Sequence, residues 1–208
     1  MKNTLVLPGG RTRAGRKPGL ASEGILLGNR IPKDFFITTG TGESDITIHA
    51  GSYHLALRDA GIEMCNIMTY SSILPAIANE VPKPRTLQHG MVMETIMATA
   101  NACAGDRATA GIIWGWLVNK ETGERHGGLV CEYNGGLEEP EVESQLRASI
   151  EELYRNGYSD RFDLEGTRLI MRSFVPAKRF GTALVGLCFL NYLWPVLRGK
   201  DSSAFLSS

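Results

Sequence analysis

The chain of 208 residues has no surplus of either charge, with 22 lysines and arginines against 22 aspartates and glutamates. That balance excludes the broad basic footprint of a nucleic-acid-binding domain. Cysteine is scarce. Cys65, Cys103, Cys131 and Cys188 form no CxxC pair and sit among apolar neighbours. They read as buried free thiols in a reducing, cytoplasmic setting, not as a zinc site or a disulfide framework. Residues 1–9 hold too short an apolar stretch for a signal peptide. No GxxxxGK[ST] run occurs, and Gly40-Thr41-Gly42 lacks the third glycine of a dinucleotide fingerprint, because Asp45 stands there. Gly51-Ser52-Tyr53-His54 is no nucleophile elbow, and only His49 and His54 come near metal-ligand spacing. No internal repeat is present.

What remains is a globular composition, 43% hydrophobic with 24 glycines, in a length that suits one domain. Residues 1–31 stand apart. Arg11, Arg13, Arg16, Lys17 and Arg30 are scattered among glycines there, with Glu23 as the one acid and no hydrophobic period. This block is expected to be a flexible basic arm. From residue 32 onward a single domain is expected. Its first elements are a short strand over 35–39, a glycine loop over 39–45, and a helix with Ile48, Leu55 and Ile62 on one stripe, ended by Gly61. Strands are predicted over 64–70, 91–102, 108–119 and 128–133, the pair around residues 119–124 having hairpin chemistry. A helix over 141–156 carries Val142, Leu146, Ile150 and Leu153 on one face. Two strands, over 167–175 and 180–192, close an α/β pattern richer in strand than in helix. The run 180–197 has no charge and approaches membrane-spanning length, but its glycines and Pro195 suit a long buried strand better.

Two segments carry candidate chemistry. In "NIMTYSSILP" (residues 66–75) a strand ends in Ser71-Ser72, either as a strand-to-turn cap or as a reactive pair. In "GGLVCEYNGG" (127–136), Glu132 lies within a strand, either on a solvent face or buried with a partner that offsets its cost.

Together with the closing "KRFGTALVGLCFLNYLW" (178–194), these segments resemble the pyruvoyl-dependent arginine decarboxylases, over about residues 34–194. The resemblance implies an α/β (α+β) fold, a four-layer αββα sandwich, assembled as a homotrimer or a dimer of trimers with the active site between subunits. It implies a zymogen that cuts itself between Ser71 and Ser72, leaving a pyruvoyl group derived from Ser72 as cofactor, with no metal and no pyridoxal phosphate. Asn66 maps to the family's asparagine at the developing oxyanion. Glu132 maps to its proton donor, a role that burial beside Leu129, Cys131 and Tyr133 suits. Substrate contacts are expected at His54, Leu57, Ser71 and Ile73. The expected partner is a small-molecule amino-acid substrate, with neither nucleic acid nor membrane, and the expected reaction is arginine to agmatine and carbon dioxide, in polyamine supply or acid resistance. One position departs from the pattern: His54 stands where the family has a guanidinium-binding aspartate, with Glu43, Asp45 and Asp59 nearby as substitutes. A histidine cannot accept the bidentate fork of a guanidinium. Decarboxylation of another amino acid is therefore one alternative, and a non-catalytic trimeric binding protein of the same fold is the other.

Overall fold

The computed structural model describes residues 27–196. Its main unit, Arg30–Trp194, contains β1 (Ile31–Pro32), β2 (Asp34–Ser44), a π-helical turn (Ile48–Tyr53) running into α1 (His54–Asp59), β3 (Asn66–Thr69), β4 (Ile73–Pro75) and β5 (Asn79–Glu80). There follow β6 (Val92–Cys103), β7 (Ala108–Asn119), β8 (Arg125–Gly135), α2 (Glu139–Gly157), β9 (Phe162–Phe174), β10 (Phe180–Phe189) and β11 (Tyr192–Leu193). Of the basic arm expected over 1–31, residues 1–26 lie outside the described residues, and Arg30 and Ile31 belong to the main unit. In the smaller unit of the chain ends, Leu27 bridges Val196 and the Gly28 N–H donates to the Pro195 carbonyl.

Two large sheets form the frame. One has the order β3-β6-β10-β2-β5, antiparallel at its centre and parallel at both edges. The other, β4-β8-β7-β9, is antiparallel throughout. Period-2 alternation sends successive side chains to opposite faces, and the core divides accordingly. Phe35, Ile96, Val185 and Leu187 of the first sheet meet Leu74, Ile112, Trp114 and Val130 of the second in the central layer. Phe36, Leu184 and Cys188 face outward under Ala56 and Leu57 of α1 and Ala60 at its C-cap. Ile113, Leu129 and Cys131 face the other way, under Val142, Leu146 and Ile150 of α2. The result is a helix–sheet–sheet–helix stack, the expected αββα sandwich. α2 is set by a reciprocal capping box between Glu138 and Glu141 with Pro140 in its first turn.

The uncharged run near the chain's end is the central strand β10, buried along almost its whole length. Among the described residues no helix is long and apolar enough to cross a membrane.

Two expectations need correction. The glycine segment over 39–45 is no loop: β2 continues through it to Ser44. Gly40 and Gly42 are needed for close approach of the helix, since a Cβ on Gly40 would stand 2.1 Å from the Ala56 carbonyl oxygen and one on Gly42 2.2 Å from that of Ser52. The helix they receive buries Ala56, Leu57 and Ala60, while Leu55 of the expected stripe is exposed. The first turn is π-helical, which shifts the buried face relative to a heptad count. Gly61 does follow the helix with φ at 64°. Because the opposing atoms at Gly42 are backbone, Gly42→Ala should cost about 3 kcal/mol or more, read as a lowered midpoint in urea unfolding.

Candidate active site

The chain leaves one sheet and enters the other across Tyr70, Ser71 and Ser72. β3 ends at Thr69 against β6, and the Tyr70 N–H extends that pairing by donating to the Thr95 carbonyl at 2.7 Å. β4 begins at Ile73 against β8, and Val130 extends that pairing by donating its N–H to the Ser72 carbonyl at 3.1 Å. The Ser71–Ser72 peptide bond is the span between these two anchors.

The second pairing explains how Ser72 and Glu132, sixty positions apart in sequence, come together. With Ile73 opposite Leu129, Ser72 falls opposite Val130. Glu132 is two residues further along β8 on the same face, a diagonal neighbour that a long side chain can reach. The Ser72 hydroxyl donates to the Glu132 carboxylate, with Oγ 2.8 Å from Oε1 and 2.7 Å from Oε2. Glu132 is half-buried. It thus stands between its two sequence readings, partly exposed but with Ser72 as a hydrogen-bond partner.

In front of this pair lies a cavity of about 440 Å³, walled by Ser71, Ile73, Leu129 and Cys131 and roofed by Leu153 and Tyr158 at the end of α2. Its size falls within the range of small-molecule sites. Leu153 and Tyr158 were not foreseen as site residues. Leu153 shares the apolar stripe of α2 but lies one turn beyond the buried Ile150 and is 47% exposed over the cavity. A large apolar residue continuing a helix stripe past the sheet it covers is the signal that could have found it.

The other expected site residues lie apart from this pair within the chain. Asn66 stands on β3, exposed, and its side-chain amide donates to the Gly90 carbonyl at 2.9 Å; it makes no hydrogen bond to Ser71 or Ser72. His54 opens α1 and is exposed, while Leu57 is buried under the same helix against the outer face of the five-stranded sheet. Both are a layer away from the serines. Ile73, at 58% exposure, and Ser71 are beside the cavity. The three carboxylates near His54 are already engaged by the chain itself. Asp59 accepts the Thr41 N–H, Asp45 accepts that of Arg179, and Glu43 accepts those of Ala177 and Lys178. Among the described residues no group of three His, Cys, Asp or Glu side chains is placed to hold a metal ion.

The family model described as pyruvoyl-dependent arginine decarboxylase matches residues 34–193. This chain belongs to the pyruvoyl-dependent arginine decarboxylase family. Its members are carboxy-lyases, and so is this enzyme. It is 31% identical over 193 residues to the pyruvoyl-dependent arginine decarboxylase of Chlamydia pneumoniae, covering 81% of this chain and 95% of that one. The Chlamydia caviae enzyme of the same name is 31% identical over 190 residues, covering 79% and 94%. That of Methanococcoides burtonii is 37% identical over 86 residues, covering 40% and 47%.

The four cysteines are free, but they are not all buried: Cys103, at the end of β6, is exposed. Strand alternation buries a residue only while the opposing layer continues over it, and β6 ends there. The site thiol is inert by contrast. Burial, and then the charge of neighbouring Glu132, push Cys131 up to about 11, and burial above all pushes Cys188 up to about 12. A thiol held above its ordinary value carries little thiolate at neutral pH. Iodoacetamide at pH 7.5 should therefore alkylate Cys103 first and Cys188 last, as followed by peptide mass mapping.

Proposed function

We propose that the chain is a cytoplasmic, self-processing pyruvoyl-dependent decarboxylase of L-arginine, cut between Ser71 and Ser72, giving agmatine and carbon dioxide. The observation that carries this reading is the Ser72 hydroxyl bonded to both oxygens of Glu132 at the crossing between the sheets. Serine is a weak nucleophile unless a base is in reach. Glu132 takes the hydroxyl proton as Oγ adds to the Ser71 carbonyl carbon. The C–N bond then breaks, the proton passes to the departing nitrogen, and an ester joins Ser71 to Ser72. Loss of the Ser72 α-proton expels the Ser71 carboxylate, and water converts the resulting dehydroalanine to pyruvoyl and ammonia. Asn66 acts at the oxyanion of this step once its side chain leaves the Gly90 carbonyl.

The residues present fit the product group: the Ser72 carbonyl that it would retain is already held by Val130, and the cavity lies in front of it. Once formed, that group supplies an electrophile for the substrate amine and an electron sink while carbon dioxide departs. The protein's part is then to hold the substrate against Ile73, Leu153 and Tyr158, exclude water, and keep the Glu132 proton beside the substrate α-carbon. His54, exposed and a layer away within one chain, serves the cavity of a neighbouring copy in a homotrimer or a dimer of trimers, and Leu57 supports it from beneath α1. Exposed Met68, Val92 and Ile73 around the crossing support such packing.

Arginine is supported by the family and by the names of the relatives. A second reading, another amino acid, is favoured by His54 and by the engagement of Glu43, Asp45 and Asp59 within the chain. Intact mass of the denatured protein tests the first step, and carbon dioxide release from a panel of amino acids tests the second. Fragments 1–71 and 72–208, the latter lacking a free amine, with release from arginine alone, support the lead. One uncut chain would overturn self-processing, and release from a different amino acid would overturn the substrate.

A further inference from the structure

Glu94 is the most deeply buried carboxylate among the described residues, at 2% exposure in the interior of β6. A buried charge is tolerated only when it is paired and hydrogen-bonded. Glu94 has both: the Arg30 guanidinium grips it through Nη2 to Oε1 and through Nε to Oε2 at 3.2 Å, and the Tyr70 hydroxyl donates to Oε2. Arg30 is itself held over the rings of Tyr192 and Trp194, with centroids at 5.5 and 5.9 Å. The Tyr192 hydroxyl is buried with no hydrogen-bond partner among the described residues, and burial, then neighbouring Tyr70, pushes it up to about 12.

Tyr70 is the residue before Ser71. Its backbone is pinned to Thr95 and its ring lies 5.9 Å from that of Phe189 in the central layer. The hydroxyl bond to Glu94 is the third fixing point. On the far side of the bond the anchors are Val130 and Glu132. We infer that Glu94, through Tyr70 and braced by Arg30, is a positioning residue for self-cleavage: it fixes the Ser71 side of the scissile bond against which the Ser72 hydroxyl must be aimed. Glu94 touches no reacting atom. It acts by removing the freedom of Tyr70 to swing and carry the Ser71 carbonyl off the line of attack, and misplacement of that order is costly to rate.

The inference rests on the self-cleavage reading, and the test separates the two. Full-length chain is made by cell-free translation and its processing followed by intact mass, for wild type, Tyr70→Phe and Glu94→Gln. Melting temperatures are compared in a Ser72→Ala background, where no cutting intervenes. Tyr70→Phe keeps the ring and loses the hydroxyl, so it should process roughly tenfold more slowly, with its melting temperature within about 2 °C of the Ser72→Ala reference. Glu94→Gln should slow processing further. Wild-type processing rates in both variants would overturn the role of Glu94 while leaving self-cleavage intact. Slowing of Tyr70→Phe matched by a large fall in its melting temperature would also overturn it, as the mark of a structural residue only. A wild-type chain that never cuts would overturn the self-cleavage reading itself.

Discussion

Ser72→Ala is expected to leave a single uncut chain of 208 residues with no decarboxylase activity and no reaction with carbonyl reagents. Both losses follow from one atom. The Ser72 hydroxyl is the group positioned against Glu132, and under the proposed processing its loss by elimination is what turns Ser72 into the ketone that the reaction needs. Alanine fits the half-buried site without strain, so the variant should fold as the parent does and lose chemistry only. Intact mass and a hydrazine-type carbonyl probe read the two losses separately. Full activity in this variant would refute the pyruvoyl mechanism, whatever the mass.

Glu132→Gln tests the other partner and should divide the two stages. Glutamine can still accept the Ser72 hydrogen bond through its carbonyl oxygen, so the pair stays close, but with the cleavage base lost the chain should be cut much more slowly, accumulating over long incubation. It cannot take up or return a proton. A positioned acid–base group contributes about 10²–10⁴-fold to such steps, and the processed fraction should lose turnover on that scale. The measurement is carbon dioxide release per carbonyl-reactive chain, which corrects for incomplete processing. Turnover per reactive chain equal to wild type would remove Glu132 from the decarboxylation step.

Much of this arrangement could be read from residue order, and the exceptions have physical causes. An uncharged run broken by glycines, too irregular for a membrane helix, read correctly as the buried strand β10. The strand–turn–strand around residues 119–124 was legible because Asn119 and Gly123 supply turn chemistry, and the Asn119 side chain does accept the N–H groups of Glu121 and Thr122. Gly40 and Gly42 misled because glycine serves loops and close packing alike; only the position of α1, fixed by tertiary structure, tells which. The Ser72–Glu132 contact needed the register of two strands far apart in sequence, which no local pattern carries; here the resemblance supplied what spacing could not. Glu94 was passed over for a similar reason. An acid in Met93-Glu94-Thr95-Ile96 looks like a polar interruption until Arg30 and Tyr70 are seen to converge on it.

The crossing of the chain from one sheet to the other has a bearing on what the molecule becomes after a cut at Ser71. The piece ending there contributes β2, which lies between β10 and β5 and is hydrogen-bonded to β10 over ten registered pairs from Phe180↔Ser44 to Phe189↔Phe35. It also contributes β3, paired with β6. Every neighbour of these two strands comes from the other piece. A subunit cut there would be a split protein whose halves are woven through the five-stranded sheet, which neither half completes alone, whereas the sheet β4-β8-β7-β9 and α2 belong wholly to the second half. Such halves could not be traded between molecules without unravelling that sheet, and the cut protein, once denatured, would have to regain its fold as a bimolecular reaction, slower on dilution. Under the proposed cleavage the uncut chain would fold in one piece, and the peptide bond would serve only until the weave is made.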